Sequence, residues 1–158
     1  TYSGRRVTGI AGKKNFTVIF LEKSLMNTEI GFTYRALGVF LKHNISFEHI
    51  PTGIDTMSFV IDGAELKNGV LDTLCDEIRD AVQPDSLRVI SDIALIAVVG
   101  HGMARSVGTS ARLFEAIARA GVNVRMIDQG SSELNIIVGV DNDSYERTLK
   151  AVYEEFFE

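Results

Sequence analysis

The sequence predicts an α+β fold of two similar units, each a four-stranded antiparallel sheet with helices on one face. Three observations predict it. One is a repeat at a shift of 77 residues, and one is the order of strand and helix patterns inside each repeat. The third is a length of 158 residues, which suits one ordinary domain or two small ones.

Residues 16–60 lie on 93–137 without a gap. Ile19 meets Ile96, Met26 meets Met103, Gly31 meets Gly108, Arg35 meets Arg112, Ile50 meets Ile127 and Gly53 meets Gly130. The apolar pattern agrees: Leu37 falls on Phe114, Phe40 on Ile117, Ile45 on Val122 and Phe59 on Ile136. Chance similarity of two segments is the alternative, and ungapped agreement over this length favours duplication.

Each repeat opens on a short β-rich run, Phe16–Leu21 or Ile93–Val99. A glycine-containing loop follows, then a helix. Ile30, Tyr34, Leu37 and Leu41 mark an apolar stripe in the first helix; Val107, Ala111, Phe114 and Ala118 mark one in its counterpart. Ile45, Phe47 and His49 then alternate with Ser46 and Glu48 as a strand with one buried face, matched by Val122–Ile127. Gly53 and Gly130 mark turns into Met57–Ile61 and Leu134–Val140. The closing helices carry stripes at Leu71, Leu74, Cys75, Ile78 and Val82, and at Tyr145, Leu149, Val152 and Phe156.

After Pro84, Leu87–Ile90 closes the first repeat with a fourth strand, whereas the second ends on its helix. Arg6–Ala11 is β-capable and has no unit of its own, so it completes the second sheet. The first unit, 13–91, is then inserted into the second, 5–12 with 92–158. A strand supplied by another part of a parent protein is the alternative. Each unit is a split βαβ, or ferredoxin-like βαββαβ, arrangement. Its bare sheet face and edges invite pairing between units or between chains.

Composition narrows the function. Hydrophobic residues make up 46% and charged residues 23%, the balance of a globular protein able to bury a core. A net charge of −5 argues against nucleic acid or an anionic membrane. Ile93–Val99, the longest strongly apolar run, is too short to span a bilayer. A lone Cys75 and no secretory pattern point to a reducing cytoplasm, where the sequons at Asn15 and Asn44 are chance. A first residue of Thr1 reads as the edge of a piece cut from a longer protein.

No assembled active site is legible. In Gly100-His101-Gly102-Met103-Ala104-Arg105, Arg105 stands where a dinucleotide fingerprint needs its third glycine, and no Gly-Lys-Ser/Thr follows. His43, His49 and His101 lack metal-ligand spacing; Cys75 sits on an apolar stripe; Glu154 and Glu155 read as a solvated helix end. The residues argue for binding, with no metal and no cofactor in this chain.

The best ligand candidate is the loop Leu25, Met26, Asn27, Thr28, Glu29, Ile30, Gly31, Phe32. Thr28 suits an N-cap and Glu29 a first turn, and free N–H groups at that helix start could receive a carboxylate. Ser46, Phe47, Glu48 and His49 lie on the second strand, and Thr52, Gly53, Ile54 and Asp55 at the turn. Backbone carbonyls and Glu29, Glu48 or Asp55 could receive ammonium groups. Together these form a site for a free amino acid; ordinary loop and turn residues are the alternative.

The run Asn123-Val124-Arg125-Met126-Ile127-Asp128-Gln129-Gly130-Ser131-Ser132-Glu133-Leu134-Asn135-Ile136 resembles the strand–turn–strand segment of aspartate kinase regulatory regions. Ala97–Met103 resembles the preceding strand and loop, and Val7-Thr8-Gly9-Ile10 the leader before the first repeat. The resemblance implies tandem ACT domains, the first inserted in the second, behind a kinase domain that phosphorylates aspartate with ATP and Mg. That kinase domain would precede Thr1, so none of its catalytic residues has a position here. The resemblance further implies a homodimer through ACT sheets, and an inhibitory end-product amino acid held by the loop Leu25–Thr33, by Ser46–Glu48, and by backbone near Asn123 and Val124 of a neighbouring ACT unit. Some family members carry Asp near Leu25 and many have a Gly or Pro in the loop, whereas this one has Leu25, Met26 and Asn27. Lysine is favoured by the three acids, with threonine the other candidate; a dimerisation module that ignores amino acids is the alternative.

Overall fold

The computed structural model describes residues 7–100, 108–129 and 135–158. The elements run β1 (Val7–Glu22), α1 (Phe32–Lys42), β2 (Thr56–Asp62), α2 (Val70–Val82), β3 (Ser86–Gly100), α3 (Thr109–Arg119), β4 (Val124–Asp128), β5 (Asn135–Asp141) and α4 (Tyr145–Phe157). The chain divides into two compact units: residues up to Lys14 with Asp92–Glu158, and Asn15–Ser91.

In the Asn15–Ser91 unit the strand order is β2-β1-β3. Antiparallel β2 pairs with β1 from Phe16↔Asp62 to Glu22↔Thr56. On the other side of β1, Asp85 N donates to Glu22 O at 2.8 Å, and the Arg88 guanidinium sits 4.9 Å from the centre of the Phe20 ring. The core gathers Ile19, Leu21, Phe59 and Ile61 from the strands, Phe40 from α1 and Leu74 and Ile78 from α2.

In the other unit the order is β1-β3-β5-β4. Antiparallel β5 pairs with β3 from Ile93↔Asp141 to Val99↔Asn135, and β4 pairs with β5 across an irregularity between Val124 and Met126. Thr8 Oγ1 donates to Val99 O at 3.3 Å, which sets the start of β1 beside the end of β3. The core gathers Ile96, Leu113, Ile117, Val138 and Val152. A Cβ at Gly12 would stand 2.6 Å from the Tyr145 ring, so a larger residue there would have to push that ring aside.

The fold class agrees with the sequence reading, and several local expectations are corrected. Arg6–Ala11 and Phe16–Leu21 are not separate strands: from Val7 onward they are one, β1; Arg6 itself is outside the described residues. Leu87–Ile90 and Ile93–Val99 likewise share β3. The breaks expected between them are left-handed residues inside each strand, Asn15 (φ 72°) and Asp92 (φ 58°), one repeat apart. Asn and Asp are the side chains that enter that region most readily.

The stripes expected on the first helix of each repeat face the wrong way. Ile30, Tyr34 and Leu41 are 96%, 81% and 81% exposed, and Leu37 is half-buried. The buried face of α1 is Phe32, Ala36, Val39 and Phe40. In α3, Ala111 and Ala118 are exposed, Phe114 is half-buried, and Val107 lies outside the described residues. Its buried face is Thr109, Leu113, Ala116 and Ile117, each one repeat-length beyond its α1 counterpart. Both helices offer two apolar stripes, and periodicity alone does not say which one meets the sheet. The stripes on α2 and α4 stand, although Leu71, Tyr145, Leu149 and Phe156 are only partly buried.

The expected strand Ile45–His49 forms only bridges, His49↔Val60 and, beyond it, Thr52↔Met57. Pro51 has no N–H to continue a ladder. Phe47 is 38% exposed yet packs edge-on to Phe40 and Phe59, at 5.7 and 6.3 Å between ring centres. Its counterpart β4 starts at Val124 rather than Val122, and the turn at Gly130 lies outside the described residues.

Candidate functional site

The site grows from the end of β1. Lys23 N donates to Asp55 O at 2.9 Å, Ser24 N to Asp85 Oδ2 at 2.8 Å and Leu25 N to Asp55 Oδ1 at 3.0 Å. Two acids therefore seize the chain as it leaves the sheet. Leu25 turns left-handed (φ 62°), and Met26–Thr28 form a single 3-10 turn that buries Met26. Gly31 turns left-handed again (φ 84°) and caps α1, whose first residue, Phe32, is buried. The loop 25–31 is thus a short crossing between two residues in a conformation that favours glycine.

Opposite it lies the turn after Pro51. Gly53 N donates to Thr56 O at 2.9 Å and Thr52 Oγ1 to Ile50 O at 3.0 Å. Between loop and turn is a cleft of about 340 Å³, lined by Met26, Asn27, Glu29, Gly31, Phe32 and Thr33 on one side and Thr52, Gly53 and Ile54 on the other. Thr33 belongs to the first turn of α1, whose N–H groups have no acceptor within the helix. A larger groove of about 710 Å³ runs along the outer faces of α1 and α2, beside Tyr34, Leu37, Leu41 and Glu77. The smaller cleft is the better ligand site, because polar backbone from two elements converges on it.

The expected roles change once partners are visible. Thr28 does not cap α1: its hydroxyl donates back to Leu25 O at 2.8 Å, and Gly31 takes the cap position. Glu29 is not an open acid. It pairs with Lys23 at 2.7 Å and with the Arg35 guanidinium. The hydrogen bond from Lys23 holds its carboxyl below the ordinary carboxylate range, against a smaller opposing effect of burial. Asp55 spends a carboxylate oxygen on Leu25 N.

Ile30 is almost fully exposed. Ser46 and Glu48 are exposed and outside the cleft lining; Glu48 N donates to Val60 O at 2.8 Å. Asn123 is exposed ahead of β4, and Val124 is half-buried at its first position; both belong to the other unit.

Sequence reasoning missed Lys23, Arg35 and Asp85. Lys23 Nζ donates to Val82 O at 2.6 Å, and Arg35 Nε donates to Ala81 O at 3.2 Å, so both cations cap carbonyls at the end of α2. Arg35 also donates through Nη1 to Ile30 O at 3.2 Å. The identity of Arg35 with Arg112 in the repeat was the available signal.

Burial raises the pKa of the Cys75 thiol, which leaves it a core side chain. Among the described residues no three His, Cys, Asp or Glu side chains gather as a metal site, and no helix is long and apolar enough to cross a membrane.

Comparison with known proteins agrees with this architecture. Residues 96–156 match the ACT domain family. Aspartokinase 3 of Bacillus subtilis is 38% identical over 151 residues, covering 96% of this chain and 33% of that protein. The crystal structure of Clostridium acetobutylicum aspartate kinase, an allosteric enzyme, superposes with a TM-score of 0.90 at 46% identity, over 95% of this chain and 34% of that one. A structure of aspartokinase alpha and beta subunits superposes at 0.79 with 26% identity, covering 95% of this chain and 98% of that one. The chain spans about a third of the length of the first curated relatives it matches.

Proposed function

Because the chain belongs with the regulatory regions of aspartokinases and carries an ACT domain, we propose that it senses an end-product amino acid for an aspartate kinase. Its two compact units are then two ACT units, the first inserted into the second. Binding feeds back on the phosphorylation of aspartate by ATP, catalysed by a kinase domain elsewhere in the parent protein, and this piece carries no catalytic residue. The two copies of the parent pair through ACT sheets. Inhibition follows if the effector prefers one state of the kinase, since only differential affinity moves an equilibrium.

The observation that carries this reading is the cleft at the start of α1, where first-turn N–H groups suit an α-carboxylate. Thr52 and Gly53 line the opposite side of the cleft, and their backbone carbonyls are the candidates to receive the ammonium. Of the three acids considered, Glu29 is held by two cations and Asp55 gives a carboxylate oxygen to Leu25 N, while Glu48 is exposed with no side-chain partner among the described residues. That supports lysine, with Glu48 meeting its second ammonium; threonine is the second candidate.

Calorimetry of the whole protein with lysine, threonine and methionine tests the reading. A bound effector at a hundredfold excess over its Kd adds about 2.7 kcal/mol of apparent stability and raises the melting temperature. No shift with any of the three sinks sensing and leaves the dimerisation module. Glu48→Ala weakens lysine about tenfold and threonine little; equal losses refute the charge argument.

A further inference from the structure

We propose that Glu29 is a latch: a positioning residue that ties the effector loop to the C-terminal end of α2 through Lys23 and Arg35, rather than a ligand to the effector. This rests on the reading of the cleft as the effector site. The carboxylate joins two cations, one from the end of β1 and one from α1. Each cation is held a second time at the end of α2, Lys23 by Val82 O and Arg35 by Ala81 O. The last turn of α2 ends on Gln83 in the left-handed region, its N–H bonded to Arg79 O at 2.9 Å. Loop and helix end thus share one hydrogen-bonded cluster, and neither can shift while the other stays.

The loop has little else to hold it. Between Leu25 and Gly31 only Met26 is buried, while Leu25 and Ile30 are 68% and 96% exposed. Its start is pinned by Asp55 and Asp85, and its end is pinned by Glu29. Both ends are left-handed residues that can act as hinges. With two cations on one carboxylate, Glu29 offers an incoming ammonium no uncompensated charge. The charged groups that act on it are Lys23 and Arg35.

The test uses the whole protein and begins without any amino acid. Glu29→Gln keeps the shape and removes the charge. Amide exchange should rise together in 25–31 and in 80–83, with the melting temperature little changed. A rise confined to 25–31 overturns the latch. The difference from wild type should persist through neutral pH and close only below the ordinary carboxylate range, where Glu29 itself protonates; a difference indifferent to pH also overturns it.

With lysine and threonine as probes, Glu29→Gln should weaken both by the same factor, about three- to fivefold. The double variant Glu29→Gln/Arg35→Met should lose no more than the worse single variant. A loss confined to lysine, or losses that multiply, would give Glu29 to the effector's ammonium instead. If neither probe binds the wild type, the sensing proposal fails while the exchange experiment still judges the latch.

Discussion

Arg35 and Arg112 occupy the same place in the two units, one repeat apart near the start of α1 and of α3. Both reach a last-turn carbonyl of the unit's second helix: Arg35 Nε to Ala81 O at 3.2 Å, Arg112 Nη2 to Glu155 O at 3.1 Å. They differ in the carboxylate they hold. Arg35 takes Glu29 from the loop before its own helix, while Arg112 takes Glu155 from α4 at 2.9 Å, with Arg119 on the same acid at 3.2 Å. One arginine therefore fastens a loop to a helix, and the other fastens helix to helix. A single inherited position is given two tasks by where its acid stands. The unit that fastens its loop is the one with the described cleft.

The largest expected effect tests whether the two units share a core plan. Phe40 is buried and packs 4.6 Å from Phe59 between ring centres, and Ile117 is its buried counterpart. Phe40→Ala should cost about 3–5 kcal/mol and Ile117→Ala about 2–5 kcal/mol in urea denaturation. Tyr34→Ala, on the exposed stripe, should stay within about 0.5 kcal/mol. A costly Tyr34→Ala beside a harmless Phe40→Ala would mean that α1 is turned the other way.

A second pair of variants sharpens the difference between the loops. Gly31 and Gly108 both cap a helix in the left-handed region, at φ 84° and 88°. A Cβ at Gly108 meets no atom of the described residues within 4 Å, whereas one at Gly31 stands 3.1 Å from Arg35 Nη1. Gly108→Ala should therefore cost only the backbone penalty, about 1–2 kcal/mol. Gly31→Ala should cost the same and also weaken effector binding, measured by calorimetry. Unchanged binding in Gly31→Ala would separate the arginine from the cleft.

The smallest effect concerns pH. The hydrogen bond from Arg112 holds Glu155 below the ordinary carboxylate range; hydrogen bonds from Lys42 at 2.9 Å and His43 at 2.6 Å do the same for Glu77, between α1 and α2. A carboxyl whose folded pKa lies below its unfolded one adds stability above the unfolded value. That stability is lost as pH falls through the folded value. The melting temperature should thus decline on acidification below the ordinary carboxylate range. Glu155→Gln and Glu77→Gln should each flatten that decline slightly, since exposed pairs are screened by water and salt.

What could be read in advance follows the reach of each signal. The repeat, most of the strand and helix order and the loop after the first strand rest on pattern along the chain, and they are present in the fold, apart from the strand expected at Ile45–His49. The helix faces were misread because Tyr34 and Leu41 are as apolar on paper as Val39 and Phe40. The roles of Thr28 and Glu29 were misread because a cap or an open acid depends on what else comes within about 3 Å. Lys23 gave no sign in the sequence and Arg35 only its identity with Arg112 in the repeat, because their partners at Val82 and Ala81 are some fifty residues away.

By itself, the sequence determined the kind of protein this is. A duplication keeps its apolar spacing and its glycines, because each copy must bury the same sheet face and turn at the same points. Tertiary structure alone decided which stripe of α1 and α3 is core, since that depends on which way the preceding loop delivers the helix. It alone decided that Asn15 and Asp92 bend one continuous strand rather than end two. And it alone turned Glu29 from an acid awaiting a ligand into one already held, because charge becomes available or spent only when long-range packing sets two cations beside it.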